Sequence, residues 1–192
     1  MTNRMFVGYI TRLQKALASV DYEVVARILS ILETAEANGR SIFIAGNGGS
    51  AANASHFAVD LGKLASDRSS RCFRAISLSD CVPWITASSN DSGYNSIFAR
   101  QLQSLSRPED VLICVSVSGR SPNILAAIQW ARTHKLVTVL LSGAPGVPLG
   151  DLAHSPDVNL IIPECHYGVV EDVHMAVLHM LCYSLAKDET LL

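Results

Sequence analysis

The feature that most constrains this chain's fold is a series of short apolar runs, each closed by turn residues and separated from the next by helical segments. They are SIFIAG at 41–46, RCFRAISL at 71–78, DVLICVSVSG at 110–119, VTVLLSG at 137–143 and VNLIIP at 158–163. Buried, β-rich runs alternating with helices indicate a parallel sheet, because parallel strands need crossover helices that cover both faces. The expected class is therefore α/β, with a doubly wound five-stranded parallel sheet. Ahead of the first run, Phe6, Ile10 and Leu13, then Val24, Val25, Ile28, Leu29 and Leu32, recur at helical spacing. Two leading helices are expected there, within residues 1–39, and a closing helix from about 169 to 187.

The 192 residues, 49% of them hydrophobic, suffice to bury a sizeable core, and the expectation is one domain over 1–192. Fifteen Lys plus Arg against seventeen Asp plus Glu leave a formal charge of -2 without blocks. That pattern excludes the polyelectrolyte footprint of a nucleic-acid or membrane-surface binder, so any anion must be gripped locally. The opening stretch MTNRMFVGYITRLQ lacks a signal peptide's apolar region, and no apolar run reaches the roughly 20 residues a membrane helix needs. The expected location is the cytoplasm. The cysteines, Cys72, Cys81, Cys114, Cys165 and Cys182, are odd in number and form no CxxC pair, and are read as reduced, buried thiols. The segment GAPGVPLG at 143–150 reads as a loop rather than a linker.

In open parallel sheets ligands bind at the carboxyl ends of the strands, so the segments after each run carry the search. After the first comes Gly46-Asn47-Gly48-Gly49-Ser50, followed at once by the helix former AANASHFAVDL. Glycines let backbone approach a ligand, and the amides that open a helix favour an anion. Read to Ala51, the same letters fit the dinucleotide fingerprint GxGxxA. The acidic partner of that fingerprint is expected roughly 20 residues on, whereas the only candidate is the more distant Asp80, in a loop. A second anion loop, Ser116-Val117-Ser118-Gly119-Arg120-Ser121-Pro122-Asn123, precedes another helix. Its hydroxyls and helix-opening amides suit one compact phosphate better than a dinucleotide, although Ser118 or Ser121 taken alone also fits a helix cap.

GNGGSAANASHFA followed by SVSGRSPNI resembles the sugar isomerase (SIS) family, and within it the phosphoheptose isomerases. The similarity extends to the leading helices, the Asn90-Asp91 pair, the entry Glu109-Asp110-Val111-Leu112 to the third run, and the closing helix. It implies a flavodoxin-like SIS domain in which 40–192 form the sugar-phosphate-binding core. It further implies ketose-to-aldose isomerisation of sedoheptulose 7-phosphate or a related sugar phosphate, and a homotetramer. By the same resemblance Ser50, Ser116, Val117, Ser118 and Ser121 would surround the phosphate, with Asn47, Gly48, Gly49, Asn90 and Asp91 around the sugar.

His56 and Asp60 are four apart on the helix after the first loop and so share a face. The closing helix carries Glu171, Asp172, His174 and His179 among valines and leucines. His174 is expected in the core, satisfied by a hydrogen bond. The resemblance makes His56, Asp60, Glu171 and His179 a zinc site, with Asp60 as base and His179 as acid, and such ligands suit zinc. Glu171 and His179 are about 12 Å apart along a helix, so sharing one ion would need Glu171 at a frayed first turn. The chain departs from the family pattern at Asp60 for Glu, Glu171 for Gln, Val169 for Arg and Val117 for Thr. The alternative reading is a non-catalytic adaptor or sugar-phosphate-binding protein on the same fold, resembling a branch that associates with the replication initiator. In that branch the first-helix acid and last-helix histidine are replaced, whereas this chain keeps Asp60 and His179.

Overall fold

In a computed structural model, which describes residues 2–144 and 155–191, the apolar runs form β1 (Ser41–Gly46), β2 (Arg74–Ser77), β3 (Val111–Ser116), β4 (Val137–Gly143) and β5 (Val158–Ile162). They pair in parallel throughout, in the order β2-β1-β3-β4-β5. Every residue of β1 and β3 is buried, which is why these segments read as unbroken apolar runs rather than alternating ones. The run at 71–78 shortens to β2, because this edge strand is covered on one side only and alternates in exposure. Residues 145–150 of the Gly/Pro segment lie outside the described residues.

Helices cover both faces. The α1 (Thr2–Leu17), α2 (Tyr22–Ala37), α3 (Gly49–Val59) and α8 (Tyr167–Leu185) helices pack on one, where Ile28, Leu32, Phe57, Val173 and Leu181 meet Ile42, Ile44, Ile113 and Leu141. On the other, α6 (Ile97–Leu105) and α7 (Pro122–Thr133) bring Phe98, Leu102, Ile124 and Ile128 against Phe43, Leu112 and Leu140. Moving outward from the centre, α3 crosses from β1 to β2 on one face and α7 from β3 to β4 on the other. Right-handed crossovers require that switch when the chain reverses direction along the sheet. Between β2 and β3 the chain also forms α4 (Ser66–Ser69) and α5 (Val82–Ser92).

A buried carboxylate ties the amino ends of the two central strands. Asp110 accepts from the Ser41 amide at 2.8 Å and from the Arg107 amide at 2.8 Å. At the opposite, carboxyl ends, β1 and β3 diverge into the two loops singled out by the sequence, and in this strand order the crevice between them is the ligand position. All five cysteines are free, but only Cys114 and Cys182 are buried. Cys72 and Cys81 flank the short edge strand and Cys165 lies in the turn before α8, which leaves these thiols exposed rather than buried as expected.

Candidate active site

Three helices open onto the crevice. Asn47 and Ser50 at the start of α3, Ser116, Val117, Ser118 and Ser121 before α7, and Tyr167 and Glu171 at the start of α8 line one cavity. Each helix start turns its unpaired amides and the positive end of its dipole toward the same space. Gly48 makes the turn into α3 with φ of 56°, a left-handed conformation that a side chain disfavours. Ser50 and Ser116 are buried, at 3% and 5% exposure, yet among the described residues their hydroxyls have no protein partner, so each is available to a ligand. Ser121 takes the N-cap position of α7 without making a side-chain cap bond, and the Ser118 hydroxyl accepts from the Arg120 amide at 3.2 Å. Among the described lining residues there is no lysine or arginine. Hydroxyls and helix amides are what the cavity offers an anion.

Asn47 lines the cavity, and its side chain also bonds within the protein. Its amide exchanges hydrogen bonds with that of Asn123, at 3.0 and 2.8 Å, and its Oδ1 also accepts from the Tyr94 hydroxyl at 2.9 Å. The reciprocal pair fixes the two phosphate-type loops against each other, and Tyr94 ties in the turn after α5. Sequence reasoning did not single out Asn123 or Tyr94. Asn123 stood inside the quoted loop, whereas nothing in the letters marks Tyr94. Asn90 and Asp91, expected around the sugar, lie exposed at the end of α5, bonded to each other at 3.0 Å and outside the cavity lining.

The second centre lies farther along α3 and α8, which run side by side. Asn53 Nδ2 donates to the Glu171 carbonyl at 2.9 Å, and beyond it His56, Asp60 and His179 converge. Asp60 Oδ2 is 3.4 Å from His56 Nε2 and 3.6 Å from His179 Nε2, and the two imidazole nitrogens are 3.4 Å apart. Asp60 opens a π-helical segment, Asp60–Ala65, the kind of local widening that recurs at functional sites. Its side chain is 14% exposed, against 51% for His56 and 39% for His179. Ligands about 2.0–2.1 Å from a tetrahedral zinc are about 3.4 Å from one another, so these spacings fit such an ion as they stand. Glu171, also expected among the ligands, is absent from this cluster. The eight-residue separation on α8 holds it about 12 Å from His179, and it lines the serine cavity instead.

His174, between them, is fully buried, but among the described residues neither ring nitrogen has a hydrogen-bond partner of good geometry, contrary to the satisfied core residue expected. Burial holds its pKa down to about 4, weakly opposed by the nearby Ser142 backbone. The start of α8 is clamped from outside by α1. The Tyr9 hydroxyl donates to Asp172 at 2.7 Å, which pushes the phenol up to about 12. Arg12 donates to Glu164 through Nε at 3.0 Å and, with the His166 and Cys165 amides, lowers that carboxyl to about 2.

The SIS domain family matches residues 5–143. A phosphoheptose isomerase from Helicobacter pylori (strain P12) is 36% identical over 183 residues, covering 95% of this chain and 92% of that protein. One from Bradyrhizobium sp. (strain BTAi1 / ATCC BAA-1182) is 38% identical over 160 residues, covering 83% and 78%. The solved phosphoheptose isomerase of Neisseria gonorrhoeae superposes with a TM-score of 0.85 at 26% identity, over 97% of both chains.

Proposed function

We infer the reaction from one premise: the chain belongs to the SIS domain family and, within it, to the phosphoheptose isomerases. It is a phosphosugar isomerase that converts sedoheptulose 7-phosphate, a ketose, to D-glycero-D-manno-heptose 7-phosphate, an aldose. The observation that carries this substrate is the spacing of the two centres. The serine cavity reaches α8 at Glu171 and the acid-base cluster reaches it at His179, about 12 Å farther along the helix. Carbon-carbon bonds of about 1.5 Å give an extended seven-carbon chain with a terminal phosphate a length of about 10 Å. On this reading a sugar whose phosphate sits among Ser50, Ser116, Ser118 and Ser121 would extend its far end, with the ketone, toward Asp60 and His179. A three- or four-carbon sugar phosphate would stop short on the same reading.

The reaction moves one proton between neighbouring carbons through an enediol. Asp60 takes the proton from C1 and returns it to C2. His179 protonates the C2 oxygen as the enediol forms and collects the proton from the C1 oxygen as the aldehyde forms, so charges and atoms balance. His56 and His179 both face the Asp60 carboxylate, at 3.4 and 3.6 Å. His56, Asp60 and His179 also match a zinc site in ligand type and spacing, and zinc bound there would supply Lewis-acid polarisation of the substrate oxygens. The adaptor alternative is disfavoured by this retained cluster and by the enzymes the chain resembles.

The same reading makes the chain a single domain acting in the cytoplasm, where charged sugar phosphates are retained. Among the described residues no helix is long and apolar enough to cross a membrane. Incubating the purified protein with sedoheptulose 7-phosphate and with three- and four-carbon ketose phosphates, with and without chelator, tests the proposal. Aldose should form from the seven-carbon substrate. Removing Ser118 and Ser121 together should weaken sugar-phosphate binding by about 1 to 3 kcal/mol for each lost bond to the charged group. A chelator that abolishes turnover assigns the metal an essential part, and turnover that survives assigns the proton transfers to the side chains alone. Sugar-phosphate binding with no turnover under any condition would return the adaptor reading.

A further inference from the structure

Glu171 puts a negative charge of the protein's own into a cavity suited to an anion. It lines the cavity together with Ser50, Ser116, Ser118 and Ser121, and both of its carboxylate oxygens rest against Gly49, in the space a β-carbon would fill. Gly49 is the first residue of α3, so the carboxylate rests against the start of that helix. A negative charge is favoured there for the same reasons that a phosphate is. Among the described residues no hydrogen bond or ion pair fixes the carboxylate, and no basic side chain in the cavity lining offsets it. Its backbone, by contrast, is pinned by Asn53. The side chain can therefore leave the helix start by rotation while α8 stays in place.

We propose that Glu171 competes with the substrate's phosphate for the start of α3 and thereby sets the affinity of this chain for phosphorylated ligands. Phosphate enters as the carboxylate rotates away, because two anions without a cation between them repel at this separation. The proposal rests on the reading of the serine loops as the phosphate site. Exchange of carboxylate for carboxamide at residue 171 removes the competing charge and keeps the shape.

Calorimetric titration of inorganic phosphate at neutral pH into wild type, Glu171→Gln and Asp172→Asn tests it. Asp172 carries the same charge one residue on, exposed and bonded to Tyr9 rather than lining the cavity. Glu171→Gln should bind phosphate about tenfold tighter or better, whereas Asp172→Asn should change it less than about threefold. Affinity that is unchanged or weaker in Glu171→Gln overturns the proposal, as does an equal gain in Asp172→Asn, which would make the effect one of net charge. Glu171→Ala should shift the same way and serves if the Gln variant folds poorly. The Ser118/Ser121 double alanine variant separates the two readings. Undiminished phosphate binding there removes the serine site itself, whereas lost binding there with no gain in Glu171→Gln removes only the competition.

Discussion

Replacing Asp60 by Asn keeps the side chain's size and one of its oxygens but removes its basicity. Turnover should fall by roughly 10² to 10⁴, the contribution of a positioned acid-base group, while inorganic phosphate binding stays near wild type. His179→Ala should fall similarly, and the double variant should be little worse than either, since the two groups act as one unit. Steady-state rates on sedoheptulose 7-phosphate check this. Wild-type turnover in Asp60→Asn would place the base elsewhere. Spacing alone was enough to put His56 beside Asp60, because residues four apart share a helix face. The approach of His179, 123 positions from His56, came only through resemblance. Local spacing says nothing of which distant helix packs alongside. The same limit hid the amide pair of Asn47 and Asn123, which lie 76 positions apart.

At the scale of elements the sequence was most informative where burial is complete. Strands such as β1 and β3, covered on both faces, announce themselves as continuous apolar runs, and α2 shows its inward stripe at Ile28, Leu32 and Ala35. Segments shaped by one-sided or irregular packing were not legible. β2 is shorter than the apolar run that contains it, and in the π-helical turn at Asp60–Ala65 the only letter out of place for an ordinary helix is Gly62. The α8 helix carries a consequence of its own through His174. Its pKa is about 4 in the fold, below the ordinary value of 6.5, so between these values the unfolded chain binds the extra proton. Stability is then fully present above about pH 6.5 and is lost as pH falls toward 4, by about 3 kcal/mol at about 1.4 kcal/mol per unit. His174→Leu should flatten that acid limb in urea unfolding measured from pH 7 to 4. An unchanged pH dependence in the variant would show that other groups carry the loss.

For the whole molecule the instructive element is α1, whose two faces have opposite characters. One face is committed to its own chain, through Tyr9 to Asp172 and through Arg12 to Glu164 at the mouth of α8. The other presents Phe6, Val7 and Ile10 to solvent at 63%, 65% and 51% exposure. A row of large apolar side chains along one helix face is costly to leave wet. We propose that these faces pair in a homo-oligomer, a homotetramer by the resemblance. Pairing identical faces about a two-fold axis closes a dimer, and a tetramer needs a second surface in addition. Because α1 also clamps the start of α8, such an assembly would be mechanically linked to the substrate cavity. Phe6→Glu with Ile10→Glu should therefore lower the mass seen by light scattering at micromolar concentration and reduce turnover with it, while the far-ultraviolet spectrum of the fold persists. A wild-type protein that is monomeric at that concentration would refute the assembly. A dissociated variant with undiminished turnover would keep the assembly but cut its link to the site.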